Sequence, residues 1–143
     1  MKPIANSQLT GKWYNIARTR NFFEMNFVEI SLYISIACEN YLDLLYVGIK
    51  DDRSKALKKL TLKILTKNGA SFIIVKKGIF GKILKILLFD EKDGVLILAD
   101  EKMKYVSILS RKSTLSYEVV ESYLNQVEEM NGKRIELYSG SIV

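Results

Sequence analysis

The sequence predicts a mainly-β fold: an eight-stranded antiparallel up-and-down β-barrel with one C-terminal α-helix packed on its outside. Three observations carry that expectation. Successive segments alternate apolar and polar residues with the period of two that marks a strand facing a core on one side. Short turn signals (CEN, DDRS, KNGA, FGK and EKDG) separate them, which suits hairpins rather than long crossovers. The period then changes once, near Ser116, to helical spacing.

The elements follow in order. Pro3 precedes the first strand, GKWYNIAR, where it removes no ladder hydrogen bond. In FVEISLYISIA, Ile30, Leu32, Ile34 and Ile36 oppose Ser31, Tyr33 and Ser35. YLDLLYVGIK sets Leu42, Leu44 and Tyr46 against Asp43, and KKLTLKILTK sets Leu60, Leu62 and Ile64 against Thr61 and Lys63. SFIIVKK, KILKILLFD, VLILAD and KYVSILSRK complete eight strands, a number that closes a barrel able to hold one small ligand. From Ser116, a plausible N-cap, Val119, Val120, Tyr123, Leu124, Val127 and Met130 form one helical stripe ending before Gly132. Such a stripe packs on its own domain, and a barrel's outer wall is what it would cover.

Bulk properties limit the function. A chain of 143 residues, 48% hydrophobic and 27% charged, is read as a single domain over residues 1–143. No uncharged stretch approaches the roughly 18 apolar residues of a spanning helix. The formal charge of +6 comes from lysines spread along several strands, usually at alternate positions, which reads as a solvated face and not a nucleic-acid surface. A basic surface of this kind favours anionic lipids, hence peripheral membrane contact.

Histidine is absent, which removes the commonest general base and metal ligand; no acidic cluster has metal-ligand spacing and no glycine-rich loop resembles a phosphate cradle. The expectation is therefore no enzyme, no metal and no cofactor. Cys38, alone, can form no internal disulfide. MKPIANSQLTGK lacks an apolar run of signal length, so the expected location is cytoplasmic if the chain is complete, and periplasmic or membrane-associated if a signal segment was removed.

Gly11, Trp13, Tyr14, Ile16, Ala17 and Arg18 in GKWYNIAR resemble the first signature of the lipocalins, in particular their bacterial branch, and FFEMNFVEISLYISI is similar to that branch's continuation. Tyr105, Ile108, Leu109, Ser110 and Arg111 in YVSILSRKSTLSYEVV resemble the third signature, and the matches cover nearly the whole chain in order. The second signature, a Thr-Asp-Tyr-like turn, survives only as Asp90 in FDEKDG, which leaves open how that turn is held. The resemblance implies a structural closed end built from Gly11, Trp13 and Arg111, with the guanidinium stacked on the indole.

If Trp13 and Leu109 point inward, alternation turns Leu32, Ile34, Leu42, Leu44, Tyr46, Leu62, Ile64, Phe72, Ile74, Leu84, Ile86, Leu88, Leu96, Leu98, Tyr105 and Ser107 toward the lumen. This aliphatic lining suits an acyl chain, and the small Ser107 makes room for one. The expected function is binding or transport of a small hydrophobic ligand, a fatty acid or lysophospholipid. Its ligand-binding residues are Leu32, Ile34, Leu44, Tyr46, Leu62, Ile74, Lys76, Leu84, Ile86, Leu88, Tyr105 and Ser107, with Lys76, alongside Lys77, meeting an anionic headgroup. Two alternatives stand beside it. One is a barrel filled by its own side chains that acts as a structural or interaction protein, forming a homodimer through a patch around Leu87 and Phe89; the other is a lipocalin-type enzyme using Cys38.

Overall fold

Eight strands pair in chain order and close on themselves in the computed structural model, which describes residues 3–21, 24–77, 80–132 and 135–137. The strands are β1 (Gly11–Arg18), β2 (Phe27–Cys38), β3 (Tyr41–Lys50), β4 (Lys55–Lys67), β5 (Ala70–Lys77), β6 (Phe80–Asp90), β7 (Val95–Ala99) and β8 (Val106–Ser110). A four-residue turn of helix, α1 (Asn6–Leu9), precedes them, and α2 (Tyr117–Asn131) follows. Every neighbouring pair is antiparallel, and β1 pairs with β8, so no strand of the barrel is left with an open edge.

Closure needs a local irregularity. Between Asn15 and Ala17 the β1–β8 register shifts, so Asn15 lies opposite Leu109 and Arg18 opposite Ser107. The extra residue turns Ile16 and Ala17 together onto the outer face, where both are fully buried, and returns Arg18 to the inner one.

Alternation divides the apolar residues between two cores. Trp13, Ile34, Leu42, Leu44, Leu62, Ile73, Leu84, Ile86, Leu96, Leu98 and Leu109 fill the inside. Ile16, Ala17, Leu87, Val95, Ile97, Ala99, Val106 and Ile108 form an outer patch, covered by Val120, Tyr123, Leu124 and Val127 of α2. This explains why β7 and β8 are buried along their whole length: one face looks into the lumen and the other lies beneath the helix.

The helix begins where Ser116 accepts a hydrogen bond from the Val119 N–H (3.3 Å) and stops at Gly132, which adopts the left-handed conformation (φ 68°). Ser116→Ala is expected to lower stability by about 1 kcal/mol, measurable as a shift of the urea midpoint at unchanged slope. The turn after β6 is held from the same helix. Asp90 takes the Asp93 N–H on one carboxylate oxygen (3.0 Å) and the Tyr123 hydroxyl on the other (3.0 Å). This is how the EKDG turn is fixed.

Candidate functional site

The barrel has a closed end and an open end, and each is set by specific side chains. At the closed end Trp13 is fully buried, donating its indole N–H to the Leu9 carbonyl (2.9 Å) from α1. The Arg111 guanidinium lies 3.8 Å from the centre of the Trp13 ring and donates to the carbonyls of Lys12 (3.0 Å) and Gln8 (3.1 Å). Burial pushes the Arg111 pKa down from its ordinary value. Two glycines make room for this arginine. Gly11 (φ 103°) and Gly94 (φ 68°) both sit in the left-handed region, and a Cβ would come within 3.0 Å of Arg111 Nη1 at the first and 2.6 Å of Arg111 Cγ at the second.

Above this plug the lumen changes character with height. Leu42, Ile86, Leu96 and Leu109 are fully buried in the lower half. Toward the open end the inward-facing Leu60, Val75, Tyr46 and Tyr105 keep part of their surface accessible.

The open end carries the charge. The β1–β2 connection brings Glu24 over the mouth, where the carboxylate is buried yet accepts from the Tyr46 hydroxyl (2.6 Å) and the Asn21 amide (2.8 Å). Arg18, also buried, ties down the same segment by donating to the carbonyls of Glu24 (3.2 Å) and Phe27 (2.9 Å). Tyr46 and Tyr105 are held protonated well above the usual phenol range, in both cases by burial first and the Glu24 charge second. Lys82 pairs with Val75 and so shares the inward face; its ammonium sits 4.5 Å from the centre of the Tyr105 ring. Lys58, opposite Tyr46, has the same parity.

Two concavities flank this architecture on the outside. One, about 240 Å³, opens at the mouth among Arg18, Thr19, Arg20, Asn21 and Met25. The other, about 520 Å³, is a shallow groove along the solvent face of α2, remote from the lumen chemistry.

The same architecture recurs in solved structures of low sequence identity. Lobster apocrustacyanin A1 superposes with a TM-score of 0.68 at 19% identity, over 93% of this chain and 78% of that one. The cockroach allergen Per a 4 gives 0.75 at 12% identity, over 100% and 94%. The amine-binding protein of Rhodnius prolixus, in its tryptamine complex, gives 0.60 at 10% identity, over 97% and 83%. The fold is that of the lipocalins. No protein-family model and no curated protein matches the sequence.

Within this lipocalin fold the structure sorts the expected wall residues. Leu32, Ile34, Leu44, Leu62, Leu84, Ile86 and Tyr105 belong to the inner cluster, and Tyr46 and Ser107 share its face by pairing with Leu32 and Leu98. On β5 the expectation is corrected. Ile73 and Val75 face inward, opposite Ile64 and Leu62, so Phe72, Ile74 and Lys76 lie on the outer face. A two-residue Asn68-Gly69 turn, with φ of 52° and 77°, fixes that register. Lys76 accordingly meets Tyr41 outside the barrel, 3.5 Å from its hydroxyl, and no headgroup in the lumen. Lys77, its expected companion, has a side chain outside the described residues.

Leu88 is corrected for a different reason. A bulge between Ile86 and Leu88 reverses the parity of β6, sending Leu88 to the outer core and Phe89 to the inner one. Leu87, at 7% exposure, lies in the core beneath α2, so the apolar surface patch expected around Leu87 and Phe89 is absent. Cys38 is exposed at the closed-end terminus of β2, away from the lumen mouth. Sequence reasoning missed Asn15, Arg18, Glu24, Lys58 and Lys82 as groups facing the lumen or its mouth.

Proposed function

We propose that this chain binds and carries a small hydrophobic ligand in the barrel lumen, and that the ligand is a fatty acid or lysophospholipid. The observation that carries the reading is the pairing of an aliphatic inner wall with a cation at its rim: Lys82, seated against Tyr105, stands where an anionic headgroup emerges from the tube. The Rhodnius protein of the same fold holds tryptamine, a ligand small enough for one lumen. Here the rim offers the Lys82 ammonium, and Lys58 shares its inward parity, cations that suit an anion.

Magnitudes are adequate. Burying about 12 methylenes at roughly 0.8 kcal/mol each gives about 10 kcal/mol gross, and association costs of several kcal/mol leave micromolar affinity. Loading from an anionic membrane suits a chain of net charge +6. The fully buried lower half supports a second reading, a barrel filled by its own side chains, which takes up no ligand.

Calorimetric titration with dodecanoate and with a lysophospholipid distinguishes the two. Micromolar binding is expected, with Lys82→Glu weakening it about three- to tenfold and Lys76→Glu leaving it unchanged. No heat of binding with either probe, from protein first stripped of lipid, favours the filled core.

A further inference from the structure

Among the described residues, one buried side-chain polar atom inside the barrel has no hydrogen-bond partner, and it lies deep. Among the described residues, Asn15 Oδ1 is the buried side-chain oxygen or nitrogen left without a hydrogen bond. Asn15 itself is 94% buried, by its 6% exposure, and pairs with the inward-facing Leu109, one inward position above Trp13. An unsatisfied buried carbonyl is destabilising, and native interiors rarely keep one without a reason.

Its orientation is set by a neighbour on β8. Asn15 Nδ2 donates to Ser107 Oγ (3.0 Å). Turning the amide over would leave an N–H pair orphaned instead. The Ser107 bond thus leaves an acceptor, not a donor, unmet at the bottom.

We propose that this acceptor reads a hydroxyl on the ligand's tail, so that the preferred ligand is an acyl chain hydroxylated far from its headgroup. The proposal rests on the acyl-binding reading above and adds to it the substrate class. The depth fits. Tyr105, where Lys82 sits, is four residues along the chain from Leu109, about 13 Å at roughly 3.3 Å per residue. A headgroup held at the rim puts the far end of a medium-length chain at the height of Asn15, which the tail reaches by displacing the side chains that bury this level, Leu109 among them. The surrounding lumen is Leu and Ile, so an apolar tail gains its burial there but leaves the acceptor unmet.

The test compares dodecanoate, 2-hydroxydodecanoate and 12-hydroxydodecanoate by calorimetry on the wild-type chain and on Asn15→Leu. The wild type is expected to bind the 12-hydroxy compound about five- to tenfold more tightly than dodecanoate, and the 2-hydroxy compound no more tightly. Asn15→Leu is expected to bind dodecanoate and 12-hydroxydodecanoate equally, and to melt no lower than the wild type, because it removes an orphan group. Equal wild-type affinity for all three, an equal gain from the 2-hydroxy compound, or a preference that survives in Asn15→Leu overturns this inference and leaves acyl binding standing. Binding of none of the three removes both. If Asn15→Leu does not fold, the wild-type comparison of the three acids decides alone.

Discussion

Trp13→Ala is expected to lose about 3–5 kcal/mol of stability, the range for truncating a fully buried indole. Three losses coincide at this position. The cavity opens where the inner cluster meets α1; the Leu9 carbonyl loses its donor; and Arg111, with the ring removed from beneath it, keeps only its two carbonyl partners. The stacked guanidinium is worth about 0.5–2 kcal/mol in such a dry setting. Trp13→Phe retains much of the volume but not the indole N–H, and is expected to fall between wild type and alanine. Urea unfolding followed by far-ultraviolet circular dichroism reads both. A Trp13→Ala midpoint corresponding to less than about 1 kcal/mol would show that the closed end is held by something other than this plug.

Raising the pH above 10 is expected to destabilise the protein steeply. Tyr46, Tyr105 and Tyr123 all have phenols pushed above the ordinary value of 10, mainly by burial, with the carboxylates of Glu24 and Asp90 adding to the effect. Their pKa values are raised in the folded state, so the unfolded chain loses these protons first. The stabilising contribution is whole below pH 10 and declines as pH rises toward the folded values, by up to about 1.4 kcal/mol per pH unit for each phenol. Tyr46→Phe isolates one of them, because the two proteins differ in that phenol alone. Its stability is expected to fall less steeply than that of the wild type between pH 10 and 11.5. Parallel slopes would contradict the buried Tyr46–Glu24 pairing.

The extent of what could be read from the residues depended on whether a strand has one apolar face or two. β2, β3 and β4 alternate cleanly, so Leu32, Leu44 and Leu62 fall on the inner face by counting alone. SFIIVKK and ILLF do not alternate, and a run of four apolar residues gives no parity. For β5 the missing information was present in the turn: Asn-Gly demands a two-residue hairpin, and counting back from it pairs Ile64 with Ile73. The β6 bulge has no such marker, since Leu87 and Leu88 are equally at home in either core. Glu24 was invisible for a different reason. A carboxylate is ordinarily placed at the surface, and only the apolar company of FFEMNF hinted that this one is drawn inside. Asn15 was legible in principle, standing two residues after an inward tryptophan.

The β1–β8 seam joins the first and last strands of the sheet, and Asn15 bonds Ser107 across 92 positions of chain. On a ribosome, that bond has no partner until Ser107 is made. Hairpins such as β2–β3 and β4–β5 can zip locally during synthesis, and β1 can pair with β2, but the other edge of β1 waits with bare amides and carbonyls for nearly the whole sheet to emerge. The interval before its partner arrives is when this polypeptide is open to capture by a neighbouring nascent chain, and it is there that a chaperone would have something to hold.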